Sequence, residues 1–246
     1  MIQKVVCLLS GGLDSATVLY VAKNQGYDVK ALTIHYGQLH EKEILSAKEI
    51  AKDLQIEHRI ISISLPWGGS ALLDPQIPIP TGRKESEMSH GIPSTYVPAR
   101  NSIFLTLAAS YAEAVEAQAI FIGANALDYS GYPDCRPEYF KAFEVVLRLG
   151  TKAGLEGKGA RIETPLLKLS KKEIIELGMR LGVPFKKTWS CYQGRELPCG
   201  ECDSCLLRAK GFREAAIQDP LVTVPGTAGT GSVNLSRNVP GTVCRS

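Results

Sequence analysis

Lys4-Val5-Val6-Cys7-Leu8-Leu9-Ser10-Gly11-Gly12-Leu13-Asp14-Ser15 is the stretch from which the fold is read. Lys4–Ser10 is a short apolar run of the kind carried by parallel strands buried on both faces. From Ser15 to Gln25 the spacing turns helical, with Val18, Leu19, Val21 and Ala22 on the repeat and Gly26 closing it. The turn between them therefore lies at the carboxyl end of a strand, where open α/β sheets bind ligands. Two glycines let the backbone curl tightly and approach an anion closely. The free N–H groups and the helix dipole then favour phosphate. Ser10 and Ser15 add hydroxyl donors, and Asp14, which would repel a phosphate directly, suits Mg²⁺ held beside one. The loop has neither the Gly-Lys-Ser/Thr of a Walker A loop nor the pattern GxGxxG. The plainer alternative is a tight turn with a capping serine and no ligand.

Outward from this stretch the alternation continues. Asp28–His35 reads as a second strand. Glu41–Leu54 is an amphipathic helix with Ile44, Leu45, Ala47, Ile50, Ala51 and Leu54 on one face. Glu57–Ser62 is a third strand. This β-α-β-α-β opening predicts an α/β fold with a doubly wound parallel sheet. The second strand ends in His35-Tyr36-Gly37-Gln38-Leu39-His40, bordering the same strand ends. His35 there reads equally as a packed ring or as part of a site, and a metal role for His35 and His40 has less to recommend it than either.

Ile63–Arg100 changes character, with six prolines at 66, 75, 78, 80, 93 and 98. A connection that long is a functional loop or a disordered insert. Regular structure resumes with a helix at Ser102–Glu116, a strand at Ala119–Gly123 and a helix at Glu138–Gly150. Ser170-x-x-Glu173 is a capping box opening the helix Lys171–Leu181, which Gly182 and Pro184 end. Asp203–Ala216 is the last helix. Residues 221–246 are rich in Gly, Thr and Ser, hold no acid, and read as a disordered tail.

The chain has 246 residues, 44% of them hydrophobic and 22% charged, with a net charge of +3. That balance excludes an arginine-rich nucleic-acid binder, and two of the three net positive charges, Arg237 and Arg245, lie in the tail. No apolar run is long enough to span a membrane, and the N-terminal run is too short for a signal-peptide core, so the expectation is a cytoplasmic protein with no membrane partner.

Seven cysteines are an odd number, and four cluster late as Cys191-x7-Cys199-x2-Cys202-x2-Cys205. Four thiolates at this spacing match a tetrahedral Zn²⁺ site whose coordination shell is full, hence structural. An Fe–S cluster would want a fourth cysteine three residues on, where Ala209 stands instead. A redox pair would leave two thiols idle, and four unrelated thiols fit the spacing poorly. Cys7, in a buried strand, reads as a small apolar residue.

The Ser10–Ser15 loop resembles the pyrophosphate loop of N-type ATP pyrophosphatases, which cleave ATP between the α and β phosphates. The loop and the cysteines, joined by Tyr96-Val97-Pro98-Ala99-Arg100-Asn101, by the string from Gly123 to Pro137, and by Thr188-Trp189-Ser190-Cys191-Tyr192, resemble one family, the 7-cyano-7-deazaguanine synthases. The resemblance runs from about Val5 to Pro220. One departure is Ala99, where glycine is expected in many relatives, and the tail matches nothing in the family.

The resemblance implies an adenine-nucleotide α-hydrolase-like domain over 1–185, a helical zinc-binding region over 186–220, and the tail over 221–246. It implies that 7-carboxy-7-deazaguanine, ammonia and two ATP give the nitrile through an adenylated carboxylate and then an adenylated amide, with a homodimer plausible. ATP contacts would fall on Leu9, Ser10, Gly11, Gly12, Leu13, Asp14, Ser15, Ala16, Thr17, Val18 and Leu19, with adenine meeting backbone near Ile34–Tyr36. Asp14, Ser15 and Arg100 would serve the chemistry. Arg100 suits a carboxylate or phosphate. Asn101, Asp128, Tyr129, Tyr132 and Asp134 are the remaining candidates for the substrate, the acids for its N–H groups, the tyrosines or Trp189 for stacking. Cys135 reads as packing, because adenylation followed by ammonia attack needs no thiol. Two other readings are a tRNA-thiolating relative, which needs an uncoordinated reactive cysteine and a basic face, and a non-enzymatic zinc module, which leaves the glycine loop unexplained.

Overall fold

The structure, a computed structural model, describes residues 2–88, 91–127 and 132–221. The expected tail beyond Leu221, and with it Cys244, lies outside them, as do Asp128 and Tyr129.

Five strands, β1 (Lys4–Leu8), β2 (Asp28–His35), β3 (Glu57–Ser62), β4 (Ala119–Phe121) and β5 (Arg161–Glu163), form one sheet in the order β3-β2-β1-β4-β5. Every pairing is parallel, and Cys7 of β1 stands opposite both Ala31 and Phe121. The winding reverses between β1 and β4, so the crevice at their carboxyl ends is the switch point of a doubly wound sheet.

The helices are α1 (Leu13–Asn24), α2 (Lys42–Asp53), α3 (Glu85–Met88), α4 (Arg100–Ala114), α5 (Pro137–Gly150), α6 (Lys152–Leu155), α7 (Lys171–Leu181) and α8 (Asp203–Glu214). The period-two alternation of β1 divides the core between the two faces. Val5, Cys7 and Leu9 pack with Leu19 of α1, Ile50 of α2 and Ile175 of α7. Val6 and Leu8 pack with Leu105 of α4 and Phe143 of α5. Each large apolar side chain so removed from water contributes about 1.5–3 kcal/mol, so the central strand beneath the loop is held by packing on both faces. Among the described residues no helix is long and apolar enough to cross a membrane.

The elements follow the expected order, with four differences. Leu45, expected on the inner face of α2, is 52% exposed; Ile44, Ala47, Ile50 and Ala51 form the buried stripe. β4 stops at Phe121, short of the expected Gly123, which lies close against the loop after β1. β5 and α6 carry too little periodicity to be seen: three strand residues with charged ends, and one turn of helix. Ile63–Arg100 is anchored at two places, with Leu65, Ser70, Ala71, Leu72, Thr95 and Val97 buried, while Trp67 and Ile92 stand exposed. The capping box at Ser170 and Glu173 forms as expected, and Gly182 ends α7 at φ 75°.

Candidate functional site

The loop after β1 is shaped by close approaches that only glycine allows. Gly11 has φ +91°, and a Cβ on it would lie 2.0 Å from the Glu43 carbonyl oxygen and 2.7 Å from the Ala47 nitrogen. Its absence seats the first turn of α2 directly on the loop. A Cβ on Gly123 would lie 3.0 Å from the Ser15 nitrogen, so the segment just after β4 closes on the loop from the other side. The serines knit the loop together. Gly12 N–H donates to Ser10 Oγ at 3.2 Å, Ser10 N–H to Ser15 Oγ at 3.1 Å, and Ser15 Oγ–H to the Gly12 carbonyl at 3.1 Å.

Leu9, Ser10, Gly12, Leu13, Asp14 and Ser15 line a cleft at the switch point, together with Arg100, Asn101 and Tyr132. Ala16, Thr17, Val18 and Leu19 do not reach it. They are fully buried, Ala16, Val18 and Leu19 against the sheet, and anchor the loop from behind. Ile34 and Tyr36 border the cleft as expected, with Tyr36 N–H already donated to Gln38 Oε1 at 2.9 Å.

Both oxygens of Asp14 accept from Lys171 Nζ, at 2.7 and 2.9 Å, and the lysine side chain is only 10% exposed. Lys171 is a site residue that the sequence displays only as the first position of a capped helix. Arg100 opens α4 and is half-buried against Tyr36, its Nη1 3.4 Å from the phenol oxygen and its guanidinium 5.8 Å from the ring. No acid lies within ion-pair distance of it among the described residues. Tyr132 is buried, shares a hydrogen bond with Thr95 at 3.0 Å, and packs on Tyr96.

Asn101 and Asp134 hold each other. Asn101 N–H donates to Asp134 Oδ2 at 3.1 Å, and Asn101 Nδ2 to the Asp134 carbonyl at 2.9 Å and to Cys135 Sγ at 3.4 Å. Asp134 thus satisfies an N–H group in the first turn of α4, the helix that presents Arg100. Burial raises the Cys135 thiol to about 11, fitting a packed and unreactive side chain.

Glu43 is the second cleft residue that sequence reasoning misses. Burial pushes its carboxyl up to about 7, with nearby Arg100 pulling down and Cys191 adding to the rise. Nothing in the amphipathic pattern of α2 marks it, because a polar position flanking the stripe reads as solvated surface.

The four late cysteines meet as expected. Their Sγ atoms all lie within 4.8 Å of one another, with Cys199 and Cys205 at 3.9 Å. Sulfurs about 2.3 Å from a tetrahedral zinc stand roughly 3.8 Å apart, so the set fits one ion with little movement. Backbone N–H groups of Gln193 and Cys199 point at Cys191 Sγ, and those of Glu201 and Cys202 at Cys199 Sγ. S–H donation from Cys202 and Cys205 lowers the Cys191 thiol, and Cys202 is pushed up to about 12 by giving it. Four thiols this close cannot all ionise without a cation among them.

The cysteines themselves do not line the cleft, but their neighbours Trp189, Ser190, Tyr192 and Ser204 do. Trp189 N–H donates to the Gly11 carbonyl at 3.0 Å, its indole N–H to the Cys191 carbonyl at 2.9 Å, and Lys42 Nζ lies 5.1 Å from the ring. The proline-rich segment clamps the other side: Gly82 N–H donates to the Glu201 carbonyl, Thr81 pairs with Cys202, and Arg83 forks onto buried Asp203 at the start of α8.

A doubly wound parallel sheet, a glycine-loop cleft at its switch point and a four-thiol cluster behind that cleft place the chain in the class of α/β proteins with a crevice at the strand ends. Within it, the chain belongs to the family described as "Queuosine biosynthesis protein QueC", whose model matches residues 4–216. It is 57% identical over 222 residues to a 7-cyano-7-deazaguanine synthase of Trichodesmium erythraeum, covering 89% of this chain and 100% of that one. It is 55% identical over 219 residues to a 7-cyano-7-deazaguanine synthase of Thermoplasma acidophilum, covering 89% and 91%.

Proposed function

We propose that this chain converts 7-carboxy-7-deazaguanine and ammonia to 7-cyano-7-deazaguanine, with two ATP each released as AMP and diphosphate. The observation that carries this reading is the Ser10–Ser15 loop, lining one cleft with Arg100 in a chain more than half identical to full-length relatives of that name.

The chemistry explains the nucleotide. A carboxylate is a poor electrophile because oxide leaves badly. Transfer of AMP to it releases diphosphate and gives a mixed anhydride; ammonia attacks the carbonyl carbon, AMP leaves, and a proton is lost to give the amide. A second transfer to the amide oxygen releases diphosphate again and, with loss of one N–H proton, gives an O-adenylated imidate; loss of AMP and the remaining N–H proton leaves the C≡N bond. Backbone N–H groups of the loop would bind the phosphates, and Lys171 supplies a cation beside them. Asp14 would hold Mg²⁺, which when bound would offset charge growing on the diphosphate. Arg100 suits the substrate carboxylate by bidentate contact, with Tyr132 and Trp189 flanking a flat ring. Cys191, Cys199, Cys202 and Cys205 would hold one structural Zn²⁺, their four thiolates leaving no open position. Orientation and electrostatics at a preformed site supply the rate.

The test is incubation with 7-carboxy-7-deazaguanine, ammonium and Mg-ATP, followed by mass spectrometry and nucleotide analysis. The expected products are the nitrile, AMP and diphosphate; formation of ADP, or no nitrile, overturns the proposal. Asp14→Ala is expected to lower turnover at least about 100-fold with the thermal midpoint little changed, and full activity would remove Asp14 from the mechanism.

A further inference from the structure

We propose that Glu43 is the acceptor for the N–H donor edge of the guanine-like substrate ring, an inference that rests on the function proposed above. Glu43 stands in the first turn of α2, whose backbone is fixed on the glycine loop: the space that a Cβ of Gly11 would need is occupied by the Glu43 carbonyl. The residue lines the cleft with Asp14, Arg100, Tyr36 and Trp189.

Two acids line the cleft among the described residues, and their situations differ. Both oxygens of Asp14 are taken by Lys171. The Glu43 carboxyl has neither a hydrogen bond nor an ion pair among the described residues, although it is half-buried and Arg100 acts on it through space. The other nearby acid, Asp134, spends an oxygen on the α4 backbone and is buried against Asn101. A half-buried carboxylate with free acceptors calls for N–H donors.

The substrate supplies such donors. Its six-membered ring presents a ring N–H beside an exocyclic amino group, two parallel donors that a carboxylate can accept with both oxygens. The adenine of ATP presents an acceptor nitrogen beside its amino group, so the same carboxylate opposes adenine at this position. Glu43 would thereby sort two purine-like rings that enter one cleft, the donor edge against Glu43 and adenine against the backbone at Ile34–Tyr36.

The probes are 7-carboxy-7-deazaguanine and the analogue lacking the 2-amino group, measured by calorimetry and steady-state kinetics on the wild type, Glu43→Gln and Glu43→Asp. The wild type is expected to bind the complete ring at least about tenfold more tightly than the analogue. Glu43→Gln, which replaces one acceptor by a donor, is expected to raise KM for the complete ring about tenfold or more and to erase the preference, leaving KM for ATP unchanged. Glu43→Asp keeps both oxygens and is expected to retain part of the preference; it also carries the test if the amide variant does not fold. A preference undiminished in Glu43→Gln overturns the proposal, as does a fall in kcat at constant KM, which would make Glu43 a proton acceptor instead. A wild type that converts the substrate with an indifferent Glu43 defeats this inference alone, whereas a wild type that neither binds nor converts 7-carboxy-7-deazaguanine defeats the function as well.

Discussion

The glycine loop lines the cleft and the four-cysteine centre supports its far side through Trp189, Ser190 and Tyr192, and the two, from opposite ends of the chain, are held by different physics. The loop sits on the central strand, backed by the fully buried Ala16, Val18 and Leu19, so the sheet core fixes it. Around the cysteines, secondary structure is sparse between Thr188 and α8, and the apolar cluster is small: Trp189 and the thiols, with Ile79, Tyr192 and Leu221 at its edge. Order there comes from N–H···S bonds, the Arg83–Asp203 fork, the Arg208–Asp219 pair and, in the proposed function, a metal. A surface supported by an apolar core tolerates the loss of any one polar contact; a surface supported by four ligands does not.

The largest effect should therefore come from the back of the cleft. Cys202→Ser removes one thiolate and is expected to abolish tight binding of one metal ion per chain and to destabilise the C-terminal region by several kcal/mol. Hydrogen exchange is expected to rise from Thr188 through α8, and at Arg83, while β1, β2 and α1 keep their protection. Wild-type protein that binds no metal, or a loss of protection spread evenly over the sheet, breaks the contrast between the two regions.

Gly11→Ala attacks the front. The new Cβ would strike the α2 backbone in a conformation with φ +91°, so both strain and a backbone collision oppose it. The expected cost is roughly 2–4 kcal/mol, or a fall of about 5–15 °C in thermal midpoint, with metal content unchanged. Loss of the metal along with the loop would show that the contact from Trp189 to Gly11 couples the two regions more tightly than their separate supports suggest.

The same contrast explains what can be read in advance. The loop is legible because its chemistry is contiguous: strand, two glycines, Asp14 and helix follow one another within twelve residues, Lys4–Ser15. The cysteines are legible because thiols are rare and their spacing is diagnostic. The remaining wall is legible only where the family resemblance marks it, at Arg100, Tyr132 and Trp189; residues 43 and 171 carry no such mark and meet the loop only through the winding of the sheet. Lys171 reads as a helix start and Glu43 as a surface position. Neither identity nor periodicity tells which exposed-looking charge will face a cleft. β5 escapes a sequence reading because its neighbour β4 and the Ile162 contact define it, not its own pattern.

The smallest effect concerns Ala99, the point at which the chain departs from the glycine expected there. It precedes α4 at φ 53°, ψ 25°, in the left-handed region, and is exposed. An L-residue there carries about 1–2 kcal/mol of strain, while glycine would lose about 0.5–1 kcal/mol more conformational freedom on folding. The strain outweighs the lost freedom, so Ala99→Gly is expected to stabilise the protein by a few tenths of a kcal/mol to about 1 kcal/mol, read from the denaturant midpoint at constant m-value. No packing is lost, since the Ala99 N–H donates to Tyr96 Oη at 3.1 Å through the backbone and the carbonyl accepts from Ile103 N–H, both of which glycine keeps. Because Ala99 immediately precedes Arg100, a destabilised glycine variant with weakened substrate binding would mean that the methyl group stiffens the entry to α4 and helps to hold the guanidinium against Tyr36, the opposite sign from that expected of strain alone.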